Sequence, residues 1–185
     1  MRNTWFIADT HNGDEPMCRY ESSPGVKLRP WSTIQEMDEG LLERWNSVVK
    51  PEDRVYVLGD VGRKASLPFF DRAHGVKNLV DGNHDDLETK VYLRHFKWVR
   101  AFRVLPEFGF FLTHIPVHPD CLNPKWGVNV HGHTHANGIR NDPRYVCVSV
   151  EQIDFTPIHA DELMARIARR KETMPTPASS AMREP

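Results

Sequence analysis

The sequence predicts an α/β domain, and three observations carry that prediction. Five short apolar runs rich in β-branched and aromatic residues recur along the chain. Helical periodicity fills the gaps between the early runs. Each run also ends beside a polar residue able to bind a metal.

Taken in order, the first run is 5–8, followed by Asp9 and His11. Residues 33–49 then place Ile34, Met37, Leu41, Leu42, Trp45, Val48 and Val49 on one helical face. Ser32 or Thr33 caps this helix, with Glu36 completing a capping box from Thr33, and Pro51 closes it. Run 55–58 leads to Gly59-Asp60, and 66–74 reads as a short helix. Run 76–80 leads to Gly82-Asn83-His84-Asp85, and 86–96 is a further helix. Runs 110–113 and 128–130 lead to His114 and to His131-Gly132-His133-Thr134-His135. The last helix, 160–171, turns Leu163, Met164, Ile167 and Ala168 inward.

Strand–helix alternation in the first half implies parallel strands joined by right-handed crossovers. Ligands of such sheets sit beyond the carboxyl ends of the strands, where every candidate ligand falls. Residues 98–155 hold strands with short connections, which predicts a second, more antiparallel sheet. One domain is expected over 1–172, with a disordered, proline-bearing tail over 173–185.

The 185 residues suffice for one core, and 39% hydrophobic with 26% charged residues is a globular composition. A net charge of -1 gives no overall basic field for nucleic acid. Cys18, Cys121 and Cys147 form no C-x-x-C pair, so a reducing, cytoplasmic setting is expected, with Cys147 a buried small hydrophobe. No signal peptide and no membrane-spanning run is expected.

The ordered set Asp9-x-His11, Gly59-Asp60, Gly82-Asn83-His84-Asp85, His114 and Gly132-His133-x-His135 resembles the signature of the calcineurin-like metallophosphoesterases, across residues 5 to 135. Mixed carboxylate and imidazole donors suit divalent Mn, Fe, Zn or Ni. Alternate residues of an extended chain share a face, so Asp9 with His11, and His133 with His135, are expected to point together. The resemblance implies two mixed sheets packed as a sandwich flanked by helices. It implies one metal on Asp9, His11, Asp60 and His135 and a second on Asp60, Asn83, His114 and His133, with Asp60 bridging and manganese favoured in vitro. It also implies hydrolysis by metal-hydroxide attack, with His84 facing the substrate and protonating the leaving oxygen, and Asp85 orienting His84. Gly59, Gly82 and Gly132 are read as turns bringing backbone close to the metals.

A finer resemblance, carried by Leu28-Arg29-Pro30-Trp31 and by 53–60, is to the short bacterial and phage members of that family. It makes Arg29 and Trp31 candidate substrate contacts, with packing ahead of the helix as the alternative. The chain departs from the usual pattern at Asn12-Gly13-Asp14 and at 61–64, which bears on substrate identity. His131 is expected to be structural, and His118 is either a pocket or a loop residue. Asp14 and Glu15 are expected as solvated loop acids, Asp81 as a turn former. The chain has no room for a cap domain, so an open site favouring small phosphodiesters is expected. A phosphomonoesterase, a nuclease using Arg63, Lys64, Arg140 and Arg144, and an inactive scaffold stay as alternatives.

Overall fold

The computed structural model describes residues 3–174. In chain order, β1 (Thr4–Ile7) is followed by a small hairpin of β2 (Glu21–Ser23) and β3 (Val26–Lys27), then by α1 (Ile34–Val48) and β4 (Arg54–Val57). Next come α2 (Phe69–Arg72), β5 (Val76–Val80), α3 (Thr89–Tyr92), β6 (Val99–Arg100) and β7 (Arg103–Leu105). The remainder is β8 (Phe110–Leu112), β9 (Val128–His131), β10 (Tyr145–Cys147), β11 (Ile158–His159) and α4 (Ala160–Thr173). The class is mixed α/β, as expected.

The first sheet has the order β11-β1-β4-β5-β6. Its β1, β4, β5 and β6 run parallel and only β11 is antiparallel. The second sheet has the order β10-β9-β8-β7. Here the expectation of a mainly antiparallel sheet is corrected: β8, β9 and β10 are parallel, and only β7 opposes β8. Short loops did not force hairpins, because the β8–β9 connection is long enough to cross over around the 3-10 turn Pro119–Cys121. The sheets share one core, in which Phe6 stacks on Tyr56 at 5.7 Å and meets Phe110 edge-on at 5.8 Å.

Helix α1 buries Met37, Leu41, Leu42 and Trp45, and the Trp45 indole N–H donates to the His74 carbonyl at 2.9 Å. Its start is a complete capping box: the Glu36 amide donates to the Thr33 hydroxyl at 3.2 Å, and the Thr33 amide to the Glu36 carboxylate at 3.1 Å. The two expected helices 66–74 and 86–96 shrink to the single turns α2 and α3. After the site loop the Leu87 amide is tied to the Tyr92 hydroxyl at 3.3 Å rather than to a helical carbonyl. Helix α4 buries Leu163 and Ile167, but Met164 and Ala168 are exposed and do not face inward. Thr173, placed in the expected tail, belongs to α4; 175–185 lies outside the described residues. No helix among the described residues is long and apolar enough to cross a membrane.

Removing the Thr33 side chain leaves a first-turn N–H without its acceptor, so Thr33→Ala should lower stability by about 1 kcal/mol in urea unfolding. An unchanged midpoint would show that the capping box contributes nothing.

Candidate metal centre

Asp9, Asp60, Asn83, His114 and His133 each follow within three residues of the C-terminal end of β1, β4, β5, β8 or β9, so both sheets deliver side chains to one place. The two sets of strand ends are fastened by backbone. The Ala8 amide donates to Val148 O at 2.9 Å and the Val150 amide to Ala8 O at 3.1 Å. The His114 Nδ1 lies 2.7 Å from Leu58 O, which reaches from the first sheet to the second.

Strand alternation does not aim the ligands. Asp9, His11, Asp60, His133 and His135 all have left-handed backbone, with φ between 47° and 68°. The expectation that D-x-H and H-x-H are extended pairs is therefore corrected: each side chain is swung into the centre by a turn. These turns are held by hydrogen bonds from the Asp9 amide to Gly59 O and the His11 amide to Asp60 O, both 3.0 Å. Glycine is needed where loops touch. A Cβ on Gly132 would sit 2.5 Å from Asp9 Oδ2, and one on Gly59 2.5 Å from His114 Nδ1.

Two donor groups result. Donor atoms of Asp9, His11 and His135 lie within 4.8 Å of one another, as do those of Asp9, Asp60 and His114. Asp60 Oδ2 is 3.5 Å from His11 Nε2 on one side and 3.3 Å from His114 Nε2 on the other. Asn83 Oδ1 is 2.9 Å from His114 Nε2 and 2.8 Å from His133 Nδ1. His135 Nε2 is 3.8 Å from Asp9 Oδ1. All seven sequence-predicted ligands are thus brought together. His11 Nε2 is buried with no hydrogen-bond partner, the condition of a nitrogen that a cation could complete. The two buried carboxylates, with the imidazoles and the more exposed amide oxygen of Asn83, fit divalent first-row metals.

The titration behaviour follows from burial and neighbours. Burial pushes Asp9 up to about 6 against the pull of His135, His114 and Ser149. Burial would also raise Asp60, but the hydrogen bond and charge of His114 outweigh it and hold the carboxyl at about 2. Burial would lower His114, yet Asp60 and Asp9 hold it at about 8. Burial, with the Arg29 charge, lowers His11 to about 4, so its ring is neutral at pH 7.

Several expected roles are redrawn. Asp85 does not reach the His84 ring. Its carboxylate accepts the Asp60, Val61 and Gly82 amides at 2.8–3.0 Å and so clamps two site loops. Arg29 is not a substrate contact: its side chain is 0% exposed and donates to Asp9 O at 2.6 Å, Thr10 O at 2.8 Å and Glu151 at 2.8 Å. Trp31 packs edge-on against Phe155 at 5.0 Å and over Gly40. His118 is exposed and caps its own turn through Asp120. Asp14 is largely buried between His11 Nδ1 at 3.5 Å and Arg63 at 2.7 Å, and is not a solvated acid. Of the four cations named for a nuclease, Arg144 is paired with Asp142 and Arg63 with Asp14, so two are already balanced by carboxylates. His131 is buried and structural, with its Nδ1 at Gly132 O.

Two residues carried no expectation from the sequence, and a third sits differently from its expectation. Glu151 holds both Arg29 and, at 3.2 Å, His135 Nδ1. Ser149 donates to Asp9 Oδ2 at 2.7 Å. Cys147, expected as a small hydrophobe, is half-buried with its Sγ 3.0 Å from the Ser149 hydroxyl. Their one sequence signal is that 145–150 is an apolar run broken by Ser149 and followed by an acid, the same strand-then-polar pattern that marks the other ligands.

No family model matches the chain. It is 31% identical over 184 residues to the uncharacterized protein MJ1445 of Methanocaldococcus jannaschii, covering 92% of this chain and 94% of that protein. The chain belongs to the family of that protein. The gene 66 protein of Mycobacterium phage L5 is 32% identical over 171 residues, covering 74% of this chain and 79% of the phage protein. Among solved structures, a protein of unknown function, AQ665 from Aquifex aeolicus, shares the fold with a TM-score of 0.64 at 22% identity, over 88% of this chain and 98% of that one.

Metal binding should be proton-linked. His114, protonated up to about pH 8, and Asp9, protonated up to about pH 6, must both lose protons to become ligands, so manganese affinity should rise with pH across that window. Calorimetry in buffers of different ionisation enthalpy should find protons released on binding at pH 7, and more of them near pH 5.5, where His114, His135 and Asp9 all start protonated. A pH-independent affinity would show that these two residues are not ligands.

Proposed function

We propose that this protein is a dinuclear-metal phosphoesterase of the calcineurin-like type, its two sheets forming the sandwich of that fold, and that it hydrolyses small phosphodiesters. The observation that carries the reading is the position of Asp60. One of its carboxylate oxygens lies between His11 Nε2 and His114 Nε2, 3.5 and 3.3 Å away, as a ligand shared by two cations would. Asp9, His11, Asp60 and His135 would hold one ion, and Asp60, Asn83, His114 and His133 the other. When bound, such ions supply an activated water and neutralise phosphoryl charge. Mn, Fe, Zn and Ni all suit the donors, and manganese is the metal chosen for reconstitution.

The chain's own groups do the rest. The His84 amide donates to Asp60 Oδ1 at 2.9 Å, which fixes the start of its loop against the centre. Its ring stands edge-on to His11, with centroids 5.5 Å apart, and lines the adjoining cleft. From there it would donate a proton to the leaving oxygen of a bound ester. Glu151 orients His135, as an outer carboxylate does for many metal-binding imidazoles. A cytoplasmic setting accords with three free cysteines.

Turnover of manganese-reconstituted protein against matched mono- and diesters tests the reading, and separates it from a phosphomonoesterase. Asp60→Asn should lose nearly all activity together with at least one metal, measured by elemental analysis. Two bound metals with wild-type turnover in that variant would end the dinuclear assignment. His84→Ala should keep close to two metals while turnover falls about 10²–10⁴-fold, most for alkoxide leaving groups and least for nitrophenolate. Loss of metal in that variant would make His84 a ligand instead.

A further inference from the structure

Two clefts of opposite character open on either side of the centre, and Asn83 lines both. One, of about 290 Å³, is formed by His11, Asp14, Arg63, Lys64, His84 and Asp86 among others. Its charges are of both signs, and Arg63 is already paired with Asp14. Such a mixture of donors and acceptors suits a neutral, hydroxyl-rich group better than an anion. The other, of about 400 Å³, reaches from Asn83 and His114 to Phe102, Phe111, Ile115 and Val117.

That second cleft holds an anomaly. Phe102 and Ile115 are 55% and 51% exposed, two of the six exposed large hydrophobics among the described residues, and both lie in this one cleft beside the candidate ligands. Phe102 stands edge-on to Phe111 at 5.5 Å, which leaves an aromatic corner facing the opening. Apolar side chains kept in water next to a polar reaction centre are explained by a substrate that covers them.

We propose that the substrate is an unsymmetrical phosphodiester joining a flat apolar group to a polyol-type group, with the apolar group against Phe102 and Ile115 and the polyol in the His84 cleft. This rests on the phosphoesterase reading above. It also fixes which bond breaks, because His84 lines only the polar cleft. Water supplies the oxygen that bonds to phosphorus, and the P–O bond to the polyol breaks. The His84 proton goes to that polyol oxygen, and a proton from the water returns to the imidazole. The apolar group stays on the phosphate.

Benzyl glyceryl and methyl glyceryl phosphodiesters test this, since benzyl alcohol and glycerol are comparable leaving groups. The benzyl diester should be cleaved with kcat/KM at least about tenfold higher, as expected for one apolar group gaining a pocket, and should yield benzyl phosphate and glycerol. Phe102→Ala combined with Ile115→Ala, both at exposed positions, should bring the benzyl-to-methyl ratio close to one. Calorimetry should show benzyl phosphate binding more tightly than methyl phosphate, with the difference lost in the same variant. Equal rates and equal binding, or release of benzyl alcohol, would overturn the proposal. Cleavage of no phosphoester at all would overturn the phosphoesterase reading instead, and the binding contrast would still decide whether the apolar cleft takes an apolar group.

Discussion

A carboxylate shut away from water must be satisfied by protein, and at Asp9 that demand ties the molecule together. Asp9 leaves the end of β1 fully buried, and burial pushes its carboxyl up to about 6 even against the pull of His135, His114 and Ser149. Its oxygens are met by the His133 amide beyond β9, 124 residues away, and by the Ser149 hydroxyl beyond β10, 140 residues away. Both donors belong to the second sheet's strand ends, so satisfying one side chain fixes the approach of the two sheets. The same contacts swing His133 into the left-handed turn that brings it to Asn83. Without these donors the carboxylate would face the cost of an uncompensated buried charge, and the strand ends would have no reason to converge.

Around that carboxylate the backbone has left the sheet, and its carbonyls need partners as well. Arg29 supplies them for Asp9 and Thr10, and its own charge is balanced by Glu151, which is also buried. A buried pair of this kind adds little net stability over apolar residues of the same size, but removing one member is costly. Its value here is positional. Glu151 touches His135 Nδ1 while Arg29 grips the Asp9 carbonyl, so one ion pair sets two candidate ligands from opposite sheets at once.

What was legible in the sequence was local. Apolar runs that end in Asp, Asn or His announce a strand and the group it carries, and the capping box at Thr33 and Glu36 announces where α1 begins. What was not legible depended on partners far along the chain. Arg29 beside Pro30 and Trp31 reads as a substrate contact until Glu151, 122 positions on, is known to sit against it. Asp85 beside His84 reads as its partner, but three amide donors from two loops take the carboxylate first. The D-x-H spacing suggested the right convergence for the wrong reason, since alternation along a strand and a left-handed turn both bring residues i and i+2 to one place.

Five candidate ligands in left-handed backbone carry a cost of roughly 1 kcal/mol or more each, and such strain persists only where surroundings over-determine it. The surroundings here are the loop-to-loop amide bonds, the Asp85 clamp, Asp9 with its donors and the Arg29–Glu151 pair, all of them buried. The residues proposed to meet substrate are the reverse: Phe102 and Ile115 are exposed, and their apolar side chains carry no polar atom into the buried networks. Substituting a donor of the centre therefore disturbs the packing of both sheets, whereas substituting a cleft residue disturbs little beyond the cleft. A fold divided in this way could keep the proposed chemistry while the groups taken by the two clefts change, because the exposed cleft side chains Phe102 and Ile115 stand apart from the strained turns.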